Sequence, residues 1–167
     1  MVYQPTYSGS LELPSIFYTM RLFAIAAVLG LATPAFSYTE TYILSYDTIY
    51  DHGQNSPIDV TCAHGEHGIL THGYTTFDSL YTFPYIGAIP QIQSQDSRYC
   101  GSCWELTYTD QHGVSTSLNF TAIQAGDNHR TFTISLEGMD RLTHRRGRIL
   151  KEVPITAVRK PAGACGL

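Results

Sequence analysis

Four cysteines, Cys62, Cys100, Cys103 and Cys165, all lie downstream of a stretch built like an export signal. An even set of cysteines in an exported chain constrains folding more than any other feature here, because it reads as a two-disulfide framework. Three pairings are possible, and spacing alone does not choose among them. The export reading rests on residues 20–37. Arg21 precedes an apolar run of about a dozen residues, too short to cross a bilayer. Pro34 then breaks the run, and Ala35-Phe36-Ser37 offers a small-x-small cleavage site, so the mature chain is expected to begin at Tyr38. Residues 1–19 carry no basic charge and read as an upstream extension of the gene model, with translation starting at Met20.

Roughly 130 residues remain after processing, enough for one hydrophobic core and too few for two ordinary domains. Residues 38–167 are therefore read as a single domain. The net charge of −4 is unevenly spread: Arg98 is the only basic residue between 38 and 128, whereas 130–160 hold the other eight of the mature chain. Within that half, His144-Arg145-Arg146-Gly147-Arg148 reads as a solvated turn, with a patch for acidic polymers or a dibasic cleavage site as the sharper alternatives. Asn119-Phe120-Thr121 is a candidate N-glycosylation acceptor, provided that the segment faces solvent.

Alternation puts Tyr42, Leu44, Tyr46, Thr48 and Tyr50 on one face and predicts a strand over residues 41–51. Two β-rich runs, 103–109 and 114–124, flank Asp110-Gln111-His112-Gly113, a hairpin signal. Thr75 with Asp78 resembles a capping box for a short helix through Leu80. Ser135 is a good N-cap for a helix carrying Leu136, Met139 and Leu142, in which Gly138 costs roughly 1 kcal/mol that packing must offset. Residues 153–159 read as a closing strand, with Pro154 near its start. Many short strands, two small helices and no βαβ rhythm indicate a closed, mainly β barrel.

Several local patterns suggest chemistry that the rest of the chain does not support. Cys100-Gly101-Ser102-Cys103-Trp104 matches the nucleophile segment of papain-like proteases, but those enzymes place their His and Asn some 130 residues or more downstream. The chain ends well short of that. A redox role for the same C-x-x-C lacks a surrounding βαβ unit. Cys62, His64, Glu66, His67 and His72 are metal-compatible in type. They crowd a glycine-rich loop, however, and Cys62 is needed for a disulfide, so no metal is expected.

Taken in order, Ser45-Tyr46-Asp47-Thr48-Ile49-Tyr50-Asp51, Val60-Thr61-Cys62, Gly68-Ile69-Leu70, Gly73-Tyr74-Thr75-Thr76-Phe77, Phe83-Pro84-Tyr85-Ile86-Gly87, Cys100-Gly101-Ser102-Cys103-Trp104, Ile134-Ser135-Leu136-Glu137-Gly138-Met139 and Ala164-Cys165-Gly166-Leu167 resemble the cerato-platanin family of small secreted fungal proteins. The resemblance spans essentially the whole mature chain. It implies a six-stranded double-psi β-barrel with short helices, and the pairings Cys62–Cys100 and Cys103–Cys165. It also implies residence in the fungal wall or medium, binding of chitin or N-acetylglucosamine oligomers, wall loosening without hydrolysis, and elicitation of plant defence through a plant receptor. The chain departs from the family pattern at Gln95, at Gln124 where an acid is usual, at Thr131-Phe132-Thr133, and over the basic residues 145–152.

The expected function is thus that of a secreted, non-enzymatic carbohydrate-binding protein, with fungal wall polysaccharide as its partner. Amides, hydroxyls and aromatic faces recognise sugars, and by position the binding residues are expected to be Asn55 and Ser56 in the first long loop, Tyr85, and Gln124, Asp127 and Asn128 beside the third strand. No catalytic residue, cofactor, nucleic-acid partner or membrane partner after signal removal is expected. The rival readings are a surface-active coat protein, congenial to nine mature tyrosines, and a barrel glycoside hydrolase. Hydrolysis needs two placed carboxylates, and an amide at 124 cannot supply one, although Asp47, Asp96 and Asp127 remain available for another pair.

Overall fold

The computed structural model describes residues 40–127 and 129–167. The expected signal and the extension before it lie outside them, as does Asn128. Six strands close into a barrel in the order β1-β5-β2-β4-β3-β6: β1 Thr41–Tyr46, β2 Ile86–Ile89, β3 Cys103–Thr109, β4 Ser115–Ala125, β5 Thr131–Ile134 and β6 Val153–Lys160. Strand β5 lies between β1 and β2, parallel to the first and antiparallel to the second. In the same way β2 lies between β4 and β5, parallel to β4. The connections β1–β2 and β4–β5 therefore each straddle a strand of the other, which interlocks the chain as a double-psi barrel. Closure leaves no strand edge open for pairing with another chain.

Leu44, Leu106, Phe120, Ala122, Phe132, Ile134 and Met139 are fully buried inside. Phe132 stands at the centre, with edge-on contacts to Tyr42 at 5.0 Å and Trp104 at 5.6 Å between ring centroids. Edge-to-face geometry sets the positive rim of one ring against the negative face of another. The indole N–H of Trp104 donates to Ser102 Oγ at 2.8 Å, so burying this ring strands no donor.

The hairpin falls within one residue of expectation. In its turn, Asp110 Oδ1 accepts from His112 N and Val114 N at 2.8 and 2.9 Å. Those two bonds, that from Val114 foremost, hold the Asp110 carboxyl below its ordinary range. Strand β1 is shorter than its alternation predicts. It ends at Tyr46, where Asp47 turns the chain: its N–H donates to Ile134 O, and its carboxylate caps a 3-10 turn, Thr48–Asp51, by accepting from Ile49 N. Tyr50 consequently leaves the barrel core for a second cluster with Ile69, Phe77, Leu80, Ile86 and Ile123, under the long β1–β2 connection.

Within that connection the expected cap at Thr75 is displaced by one residue. The turn is Phe77–Ser79, capped at Thr76, whose N–H donates to Ser79 Oγ. Helix α1, Leu136–Leu142, starts as read, with Ser135 Oγ accepting from Gly138 N at 3.0 Å. A Cβ at Gly138 would sit 2.6 Å from Ile134 Cδ1, which explains a glycine inside a helix. The basic run is an exposed turn with a defined backbone. His144 and Arg145 adopt positive φ (54° and 66°), and a short helix α2, Gly147–Leu150, follows with Gly147 buried.

Cys62 pairs with Cys100 and Cys103 with Cys165, the pairing that the resemblance implies. Among the described residues there is no free cysteine and no cluster of three metal-ligating side chains. Of the histidines in the 62–72 loop, His67 pairs with Asp96 at 3.2 Å and His72 Nε2 lies 3.1 Å from Glu66 O. Among the described residues no helix is long and apolar enough to cross a membrane.

Candidate functional site

A groove of about 400 Å³ opens between the β1–β2 connection and the end of β4, lined by Asp47, Tyr50, Asn55, Ser56, Asp59 and Gln124 among others. Three of the expected binding residues, Asn55, Ser56 and Gln124, therefore converge although far apart in sequence. Each is also held structurally. Ser56 Oγ caps the 3-10 turn Pro57–Asp59, and Asn55 Nδ2 donates to Ile49 O at 3.3 Å. Gln124 Oε1 accepts from both the N–H and the hydroxyl of Thr61. With its carbonyl committed to Thr61, Gln124 has only its Nε2 donors to present to the groove.

Asp127 is exposed beyond the end of β4, and its charge reaches Tyr50. Burial pushes the Tyr50 phenol well above its ordinary value, and the carboxylates of Asp47 and Asp127 add to the shift. Tyr42, on the other side of the barrel, is pushed up to about 12, chiefly by burial and then by its hydrogen bond to Glu40. Both phenols have folded pKa values above their unfolded ones. Their contribution to stability is therefore complete below about pH 10 and is lost as pH rises through the folded values. A spectrophotometric titration should accordingly find two fewer tyrosines ionised in the native protein than in the urea-denatured chain at about pH 11. Equal counts would contradict this account of both rings.

Tyr85 does not join the groove. It lines a separate basin of about 760 Å³ with Asp51, Leu136, Glu137, Asp140, Arg141, His144 and Arg145. Sequence reasoning missed Asp59 in the groove, took Asp47 only as an available carboxylate, and missed Thr61, which holds Gln124 without lining the groove itself. Asp47 and Thr61 act through a local cap and a long-range hydrogen bond, and only the cap has a local signature. Asn119, the glycosylation candidate, is half-buried on β4, and its Nδ2 donates to Ala164 O at 2.7 Å. Phe120 and Thr121 beside it are buried, at 0% and 1% exposure.

A small closed barrel, stapled twice and carrying open surface grooves, defines a class of disulfide-bonded barrel proteins. The chain belongs to the cerato-platanin family, whose profile matches residues 42–167. It is 33% identical over 136 residues to the heat-stable 19 kDa antigen of Coccidioides immitis, a match covering 81% of this chain and 86% of the antigen. The crystal structure of cerato-platanin 2 from M. perniciosa superposes with a TM-score of 0.71 at 31% identity, over 77% of this chain and all of that one. The solution structure of the fungal elicitor cerato-platanin gives 0.62 at 27% identity, over 74% and 95%.

Proposed function

We propose that this is a secreted, wall-associated and non-enzymatic protein that binds chitin or N-acetylglucosamine oligomers in the groove between the β1–β2 connection and β4. The observation that carries the reading is the lining. Amide and hydroxyl groups of Asn55, Ser56 and Gln124 stand beside the carboxylates of Asp47 and Asp59, with no cationic side chain among them. Hydroxyl-rich neutral rings find donors and acceptors there, while anionic ligands meet repulsion. A shallow site of this kind binds weakly and positions polymer without cutting it.

Two features support a non-enzymatic role. An amide stands at 124, and Asp47 is occupied in capping Ile49 N, whereas hydrolysis requires one carboxyl to give up a proton and another to act on the opposite face of the sugar. Secretion is supported by the export signal and by two disulfides, which persist in oxidising compartments. Elicitor and expansin-like loosening activities belong to the same proposal, as consequences of binding wall polymer.

Gln124→Glu is the discriminating variant. It keeps an acceptor for Thr61 and so should preserve the fold, but it replaces the Nε2 donors with a charged acceptor. Affinity for chitin oligomers should fall by about 0.5–1.5 kcal/mol, the worth of one hydrogen bond. Calorimetric titration of wild type and variant, with a reducing-sugar assay in parallel, checks both halves of the proposal. Unchanged affinity would remove Gln124 from the site, and sugar release by the wild type would overturn the non-enzymatic reading.

A further inference from the structure

We propose that the basin beside Tyr85 is a second carbohydrate subsite, selective for acidic oligosaccharides that carry uronate carboxylates. It is separate from the neutral-sugar groove in position, and unlike the groove it presents cationic side chains. Its apolar surface comes from Tyr85 and Leu136, and its cationic surface from Arg141 and Arg145, with His144 between them.

Three acids also line the basin, and two of them are already engaged. The Asp51 carboxylate accepts from Leu136 N and Glu137 N, both at 2.9 Å, and Asp140 Oδ1 accepts from Gly147 N at 2.8 Å. The ion pairs among the described residues, His67–Asp96 and Glu105–Lys160, lie elsewhere. Asp51 and Asp140 keep their charge in these bonds, so a ligand carboxylate must be held by direct contact with the guanidinium groups of Arg141 and Arg145, which make no ion pair among the described residues.

The backbone presenting these groups is held in an uncommon shape. His144 and Arg145 are successive non-glycine residues at positive φ, a conformation that persists only where surrounding contacts enforce it. Asp140 supplies those contacts twice: its carbonyl accepts from Arg145 N at 2.7 Å, and its carboxylate takes Gly147 N. Gly147 is itself required, since a Cβ there would lie 2.8 Å from Met139 Cγ and 2.9 Å from Asp140 Oδ1.

The lining selects a ligand class. Guanidinium groups match carboxylates in two-point hydrogen bonds, and an aromatic face packs against the apolar side of a sugar ring. The carboxylates of Asp51, Glu137 and Asp140 in the same basin disfavour a densely charged polyanion more than a chain with one charge per ring.

The test titrates tetragalacturonate and its methyl ester into the protein at low and at physiological salt. The acid should bind at least roughly ten-fold tighter than the ester, less so as salt rises, and Arg141→Gln or Arg145→Gln should each cost roughly ten-fold. Thermal midpoints check that the variants fold, and Arg141→Gln, on the exposed face of α1, carries the test if the strained Arg145 position fails. Gln124→Glu should leave this binding unchanged, which separates failure here from failure of the neutral groove. Absence of binding at low salt, equal affinity for the ester, or tighter binding of polyphosphate than of the uronate would overturn the proposal.

Discussion

Replacing Cys103 and Cys165 together by alanine should leave a protein that still folds to the barrel but is less stable by about 2–5 kcal/mol. For a domain of this size the thermal midpoint should drop by roughly 10 °C or more. The bond joins residues 62 apart in sequence, and the loop-closure entropy that it removes from the unfolded chain is worth roughly 4 kcal/mol before strain is considered. Both sulfur-bearing residues are buried, at 1% and 2% exposure, so the variant also loses packing. The Asn119 Nδ2 bond to Ala164 O still ties the terminal turn, Ala162–Cys165, to β4. Equilibrium unfolding in urea measures the loss. An unchanged midpoint would mean that the staple contributes nothing, and a hydrolytic activity abolished in the variant would restore the nucleophile reading of Cys103.

The elements that could be read from the sequence are those whose signals are local. Asp110 and Gly113 punctuate the β3–β4 hairpin, and Ser135 announces α1. Strand β2 has no such mark: Ile86, Gly87, Ala88 and Ile89 are all buried, because β2 is covered on one side by the barrel core and on the other by the β1–β2 connection, so nothing alternates. Strand β5 does alternate, but four residues are too few to stand out. The overrun of β1 has a specific cause, since Thr48 and Tyr50 continue the period while Asp47 has already turned the chain.

The groove was legible only through family resemblance. Asn55, Ser56 and Gln124 meet because the β1–β2 connection folds back over β4, and the bond from Thr61 to Gln124 that fixes this approach has no local pattern. The same long-range logic separates Tyr85 from them. It follows Phe83-Pro84 into β2 and faces α1 rather than β4's end, which a linear reading cannot foresee.

Gly87→Ala should have the largest effect of any single-methyl change in the barrel. Gly87 pairs with Ala122 of β4 on one side and Ile134 of β5 on the other, next to a register shift between Gly87 and Ala88. A Cβ there would meet the Thr133 carbonyl oxygen at 2.0 Å and its carbon at 3.0 Å, and φ is +156°. The obstacle is backbone of the adjacent strand, so no rotamer change relieves it. The added methyl must push β2 away from β5, which opens the barrel where both connections cross. A loss above about 3 kcal/mol is expected, the range reserved for overpacking combined with backbone strain. Gly113→Ala is the internal comparison: its φ is +78° but a Cβ there meets nothing within 4 Å, so only the conformational cost of about 1 kcal/mol applies. Urea unfolding of both variants decides the matter, with soluble yield as the readout if Gly87→Ala does not fold. Equal stability of the two would show that β2 and β5 do not approach as closely as the Thr133 contact requires.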